Sequence, residues 1–184
     1  QEAGRGRRGN HWYSSSEKSL TFSLLFKNDD NLLNKKIPLV CGVAIVKAIK
    51  DVRGLDCSLK WPNDILYDSK KIAGVLIEQK QNHFIIGIGI NVNKTNFPKS
   101  IQKKASSLEL ILDYPIQREE LLAKILNHLE KLLSNDLKDI IIYWESLCNH
   151  MGINVKFHNY NDIINGQFVG LSNNGDAKIE INGE

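Results

Sequence analysis

Three short stretches carry the residue types that could do chemistry. Residues 4–9 read GRGRRG, three glycines alternating with arginines, and Trp12 follows closely. Glycine lets a chain take positive φ and lets a ligand approach the main chain. Arginine brings a fixed guanidinium fork suited to phosphate or carboxylate. The combination suits a loop closing over an anion, and read alone it is equally a solvated basic loop. Lys60–Gly74, KWPNDILYDSKKIAG, puts two candidate point charges, Lys60 and Lys71, around a Trp-Pro-Asn-Asp turn. Asp64 there is the candidate acidic partner for a cation. Read alone, the stretch is also simply a turn with Trp61 packed beneath it. In Gly87–Asn93, GIGINVN, Gly87 and Gly89 interrupt an apolar strand on one face. Glycine weakens a strand unless something must come close, so a bare strip for a flat ligand is one reading. A sheet packed closely under a helix is the other.

The elements that must hold these stretches are legible as periodicity. Ser19–Phe26 predicts a strand. Pro38 suits the first turn of a helix over about 38–51, stopped by Gly54. Cys57–Trp61 predicts a short strand. KIAGVLIEQK and HFIIGIGINVN predict adjacent antiparallel strands at the middle of a sheet. Ser106 or Ser107 offers a helix cap. PIQREELLAKILNHLEKLLSN carries Leu121, Leu122, Ile125, Leu126, Leu129, Leu132 and Leu133 on one helical stripe, and LKDIIIYWESL predicts another helix. Beyond Asn149–Gly152 come short strands, with Asn174-Gly175 as a hairpin turn. The expected fold class is α+β, a mixed or antiparallel sheet flanked by helices and then a small β module. The expected division is 1–148 and 149–184.

Composition narrows the function. The chain has 184 residues, 42% hydrophobic and 24% charged, with a net charge of +3. That charge is too small for a general nucleic-acid coat, and the basic residues cluster instead. Three scattered cysteines without a CxxC pair predict a reduced, cytoplasmic protein. The histidines have no metal-site spacing, and no apolar run approaches the roughly 20 residues of a membrane span. GxxxxGK[ST], GxSxG and HExxH are absent. The first residue is Gln1 and the sole methionine is Met151, so the expectation is a piece of a longer product.

Taken together and in order, QEAGRGRRGNHWYSS, KWPNDILYDSKKIAGVLIE and GIGINVN resemble the three sequence blocks of biotin protein ligases, the biotin–acetyl-CoA-carboxylase ligases. The resemblance covers essentially the whole chain. It implies a class II synthetase-like ligase domain followed by a small SH3-like β barrel module. It also implies a two-step reaction: biotin and ATP give biotinyl-5′-AMP and pyrophosphate, and the biotinyl group then passes to a lysine of a biotin carboxyl carrier domain. Mg²⁺ is implied with the nucleotide, with Asp64 as its candidate ligand. Carried over by position, the biotin- and adenylate-binding loop falls on Gly4–Gly9, with Arg5, Gly6 and Arg7 against biotin and phosphate. Gln1 matches a glutamine that contacts biotin. Lys71 matches the lysine at the biotin carboxylate and phosphate, and Lys60 and Asp64 lie near the phosphates. Trp12, Asn63 and Asn91 match positions around adenine and phosphates, and Gly87 and Gly89 the strand under biotin. Lys71, Arg7 and Lys60 are the expected catalytic residues.

Against the family pattern, an earlier strand and helix with a Ser/Thr-Thr-Asn stretch is absent, as is a helix-turn-helix. The expectations are therefore an N-terminally shortened domain, no DNA binding and no membrane, with a homodimer through paired strand edges. A non-enzymatic remnant retaining part of the pocket is the alternative. A lipoyl ligase is the third reading, although GRGRRG with KWPND resembles the biotin branch.

Overall fold

The computed structural model describes residues 1–27, 33–159, 162–181 and 183. Its main sheet is built from β1 (Ser19–Lys27), β2 (Ser58–Lys60), β3 (Asp64–Tyr67), β4 (Lys70–Lys80) and β5 (His83–Asn91). The spatial order is β1-β5-β4-β3-β2, every ladder antiparallel. The expected hairpin of β4 and β5 is therefore central. Alternation along β5 sends Phe84, Ile86, Ile88 and Ile90 into the core and leaves Ile85, Gly87 and Gly89 on the other face.

Helix α1 (Leu33–Arg53) fills the core face. Residues Leu39–Ala44 are all at or below 2% exposed except Gly42, which is also buried, so the middle of this helix is apolar nearly all round. It starts earlier than the Pro38 reading predicts. Pro38 lies inside it, where the ring removes one amide donor, and the burial of Ile37 and of the turns that follow outweighs that loss. Gly54, at φ 69°, ends it by donating to the Lys50 carbonyl.

Helix α2 (Leu108–Leu112) is capped by Ser107, whose hydroxyl accepts from the Leu110 amide at 3.2 Å. Helices α3 (Arg118–Leu133) and α4 (Leu137–Ser146) pack on α1. The C-terminal strands β6 (Asn154–Asn159), β7 (Asp162–Leu171) and β8 (Ala177–Glu180) form a three-stranded antiparallel sheet. Gly175, at φ 81°, makes the expected turn. This sheet is joined to the main body: Glu145 Oε1 accepts from the Leu171 amide at 2.7 Å, and Phe168 and Leu171 belong to the common core.

Candidate active site

The glycine-bearing face of the main sheet is a bare strip. Across the strands, Asp64 pairs with Gly74, Gly74 with Gly89, and Gly89 with Thr21. One row along, Leu76 pairs with Gly87 and Gly87 with Ser23. Two glycines thus lie between Asp64 and Thr21 in one row, and one glycine lies between Leu76 and Ser23 in the other.

Lys71 reaches this strip because of a bulge. Plain alternation from Gly74 would point Lys71 to the core with Ala73. Between Ile65/Leu66 and Ala73/Lys71 the register shifts by one, so Ile72 is the extra residue on β4. Ile72 and Ala73 are both fully buried, while Lys71 turns to the open face. Its Nζ lies 2.6 Å from Asp64 Oδ1 and above Gly74, where a side-chain Cβ would come within 3.0 Å of it. The backbone of Lys71 is held from outside the sheet: its amide donates to the Lys104 carbonyl, and its carbonyl accepts from Ser106.

The GRGRRG stretch arches over the strip as a tight hairpin. Gly6 donates to the Asn10 carbonyl at 2.7 Å, Trp12 to the Gly4 carbonyl at 2.9 Å, and Arg7–Gly9 forms one 3₁₀ turn with Arg8 and Gly9 at positive φ. Gly4 passes so close to the Trp12 carbonyl that no side chain fits there. The Trp12 ring then lies on Gly89, with Lys71 Nζ 5.8 Å from its centroid and the buried indole N–H without a partner.

The sequence model of the Biotin/lipoate A/B protein ligase family matches residues 1–93, the span that holds the hairpin, the bulge and the glycine strip. The chain belongs to the biotin/lipoate A/B protein ligase family. It is similar to the bifunctional ligase/repressor BirA of Bacillus subtilis, 32% identical over 99% of this chain and 60% of that protein. It is also similar to the biotin protein ligase of Aquifex aeolicus solved in complex with biotin and ATP, at 35% identity and TM-score 0.88 over 97% of this chain and 78% of that one. The Leishmania major biotin protein ligase solved with biotinyl-5-AMP gives 25% identity and TM-score 0.71 over 97% and 81%. The chain thus spans about 60% of the length of the first of these relatives.

In this member of the biotin/lipoate ligase family the strip and hairpin open onto a cavity of about 600 Å³. Gln1, Arg5, Gly6, Arg7, Trp12, Lys60, Asn63, Asp64, Lys71, Gly87 and Gly89 all line it. Gly4 and Asn91 do not. Gly4 serves the base of the hairpin. Asn91 is buried and donates to the Ser106 carbonyl at 3.1 Å, so it braces the segment that clasps the Lys71 backbone. Asn63 lines the cavity, but its amide nitrogen is spent on the Val75 carbonyl at 2.6 Å.

Positive charge exceeds negative around the cavity. Arg5, Arg7, Arg8, Lys60, Lys71 and Lys156 face Asp64 and Glu78. Arg5 lies 3.8 Å from Glu78, and Asp64 is already engaged by Lys71. Burial lowers the Arg7 pKa, neighbouring Arg8 lowers it further, and Asp64 opposes both. Arg7 stays exposed, and a guanidinium that is only partly desolvated beside a like charge still favours an arriving anion. Among the described residues no three His, Cys, Asp or Glu side chains cluster as a metal site. One carboxylate, Asp64, suits a Mg²⁺ carried in on nucleotide phosphates, which needs few protein ligands.

Residues that the sequence reading did not single out complete the wall. Thr21 and Ser23 come from β1, and His150, Phe157, Phe168, Ala177 and Ile179 come from the C-terminal sheet and its approach. Phe157 lies against Trp61 with centroids 5.7 Å apart, and His150 against Phe168 at 4.3 Å. Alternation in β1 could have flagged Thr21 and Ser23, whereas nothing local marks the C-terminal wall.

His150 supplies a pH test. Burial lowers its pKa, and Lys60 lowers it further. As pH falls, the unfolded chain takes up this proton first, so His150 removes stability below its unfolded pKa of about 6.5 until its folded pKa is reached. The loss of thermal stability between about pH 7 and about pH 5 should therefore be smaller in His150→Gln than in the wild type. Equal slopes in the two proteins would show that His150 is not desolvated.

Proposed function

We propose that this chain is the catalytic part of a biotin protein ligase, activating biotin with ATP and passing it to a lysine of a biotin carboxyl carrier domain. The observation that carries the reading is Lys71, turned by the bulge onto a glycine strip between Asp64 and the arginine hairpin. In this arrangement a flat ring lies on Gly87 and Gly89, with the Thr21 and Ser23 hydroxyls at its polar edge. Its carboxylate points to Lys71. The carboxylate oxygen attacks the α-phosphorus of ATP and pyrophosphate leaves. The carrier amine then attacks the acyl carbon, AMP leaves and an amide forms.

Lys71 and Arg7 neutralise and orient two anions that repel each other, which is positioning and electrostatics rather than proton transfer. Asp64 holds the Lys71 ammonium in place until the substrates arrive, and Lys60 adds charge near the phosphates. A Mg²⁺ bound with the nucleotide at Asp64 would neutralise phosphate charge. Cavity-lining Phe157 and Phe168 shield the nucleotide end. In this reading the three-stranded sheet of residues 154–180 belongs to a separate module from about residue 149, the SH3-like barrel of the family.

The test is pyrophosphate release and label transfer to a carrier domain, with biotin and with lipoate. Transfer with biotin alone is expected. Release with lipoate but not biotin would overturn the substrate assignment.

Arg7→Gly offers a second test. Removing one charge-assisted contact of roughly 1.5–3 kcal/mol should speed dissociation of pre-formed biotinyl-5′-AMP by roughly 10–100-fold while leaving its formation measurable. An unchanged off-rate would leave the hairpin as a solvated basic turn.

A further inference from the structure

Lys94 is an unusual lysine. It follows β5 by three residues and is 4% exposed. Its Nζ donates to the Tyr13 carbonyl at 2.6 Å and lies 4.8 Å from the Phe97 ring centroid. Its own carbonyl accepts from the Ser107 hydroxyl at 2.6 Å. Among the described residues no carboxylate lies within ion-pair distance of it, and the depression of its pKa has burial as its sole cause. A lysine is seldom buried without an acid, because its ammonium loses water and regains little. A single backbone carbonyl 81 residues away is a small return unless the position of that carbonyl matters.

The carbonyl does lie at a sensitive place. Tyr13 directly follows Trp12, which closes the base of the arginine hairpin through its amide and lays its ring on Gly89. The neighbouring residue makes a parallel tie, since the Asn93 amide donates to the Lys18 carbonyl at 2.7 Å. Two successive residues beyond β5 therefore hold the two ends of the segment between the hairpin and β1. Lys18 fixes the end near β1, and Tyr13 fixes the end near the hairpin. Among the described residues no other side chain bonds to the Tyr13 carbonyl: the Ser14 hydroxyl donates to the Gln1 carbonyl, and the Ser15 amide donates to the Ser19 hydroxyl.

We propose that Lys94 is a positioning residue for the ligand site, drawing the Tyr13 carbonyl onto the end of β5 and so setting the height of Trp12 and the arginine hairpin above the glycine strip. The geometry stands without the ligase reading, and the consequence for the ligand rests on it. Lys94 touches neither the cavity nor the reacting atoms. Its effect passes through Trp12, which distinguishes it from a lysine that only supports the fold.

The test uses the whole chain and two readouts. Without ligand, amide hydrogen exchange at Gly6 and Trp12 should quicken about tenfold in Lys94→Met, while exchange at Val75, on β4, stays at the wild-type rate. Lys94→Arg, which can still donate to the carbonyl, should restore part of the protection. With ligand, a non-hydrolysable phosphodiester analogue of biotinyl-5′-AMP should dissociate about tenfold faster from Lys94→Met. In a Trp12→Leu background the same change should add less than about twofold, because the two residues act in series. Should Lys94→Met fail to fold, Lys94→Gln takes its place in both measurements. Unchanged exchange at Gly6 and Trp12 would overturn the proposal, as would additive effects in the cycle. If the wild type fails to bind the analogue, the ligase reading falls, and the exchange comparison still decides whether Lys94 holds the hairpin.

Discussion

Lys71→Ala should slow biotin-dependent pyrophosphate release by about 10²–10³-fold while changing ATP binding far less. The extra residue Ile72 turns Lys71 onto the open face, and Asp64 fixes its ammonium at 2.6 Å. In the resting site that charge is already balanced, so it adds little to ground-state binding. As the carboxylate approaches the α-phosphorus, negative charge gathers where Lys71 points, and its removal is felt there. Asp64→Asn should have a smaller effect, because the ammonium remains, although it loses its orientation and a nucleotide-borne Mg²⁺ would lose a carboxylate ligand. Single-turnover measurement of pyrophosphate release, set beside ATP affinity in each variant, separates the two. Near wild-type release from Lys71→Ala would remove Lys71 from the mechanism.

The difference between what the sequence revealed and what it hid follows from range. GRGRRG, KWPND and GIGINVN are local, and all three arrive at one cavity. Strand β5 was legible as an apolar, β-branched run, whose Phe84, Ile86, Ile88 and Ile90 fill the core. Strand β3 was not, since Asp64–Tyr67 is only four residues long and follows directly on a turn-rich tetrapeptide. Pro38 misled for a different reason. A first-turn proline is the local preference, and the packing of α1 against the sheet, α3 and α4 overrides it. The bulge at Ile72 could not be read from an apolar run, because an extra β-branched residue looks like the strand continuing. Asn91 shares a face with Gly89 by alternation, yet its amide turns to Ser106, a partner fixed only by the path of the chain beyond β5. The wall made by His150, Phe157 and Phe168 depends on how the C-terminal sheet docks, which no short window encodes.

The second large effect should come from a methyl group on the glycine strip. Against the protein alone, a Cβ on Gly87 would lie 3.6 Å from the Leu76 carbonyl oxygen and 3.8 Å from Leu76 Cβ, ordinary contact distances. Gly87 sits in the middle of a regular strand, so alanine fits its backbone and reduces the freedom of the unfolded chain. Gly87→Ala should therefore melt at or slightly above the wild-type temperature, by the equivalent of about 0.4–1 kcal/mol. Biotin should nevertheless bind roughly 10–100-fold more weakly, because the added methyl stands on the surface where its ring would lie and overpacking costs about 1–3 kcal/mol. Gly89→Ala behaves differently. There the Cβ would come within 2.5 Å of Trp12 Cε2 and 2.8 Å of Nε1, so the indole must shift before any ligand arrives. That variant should lose stability as well as binding. Thermal melting and calorimetric titration with biotin, run on both variants, distinguish a ligand bed from close packing of the protein on itself. If Gly87→Ala binds biotin like the wild type, the strip is not where the ring lies. If Gly89→Ala is as stable as the wild type, Trp12 does not rest on it.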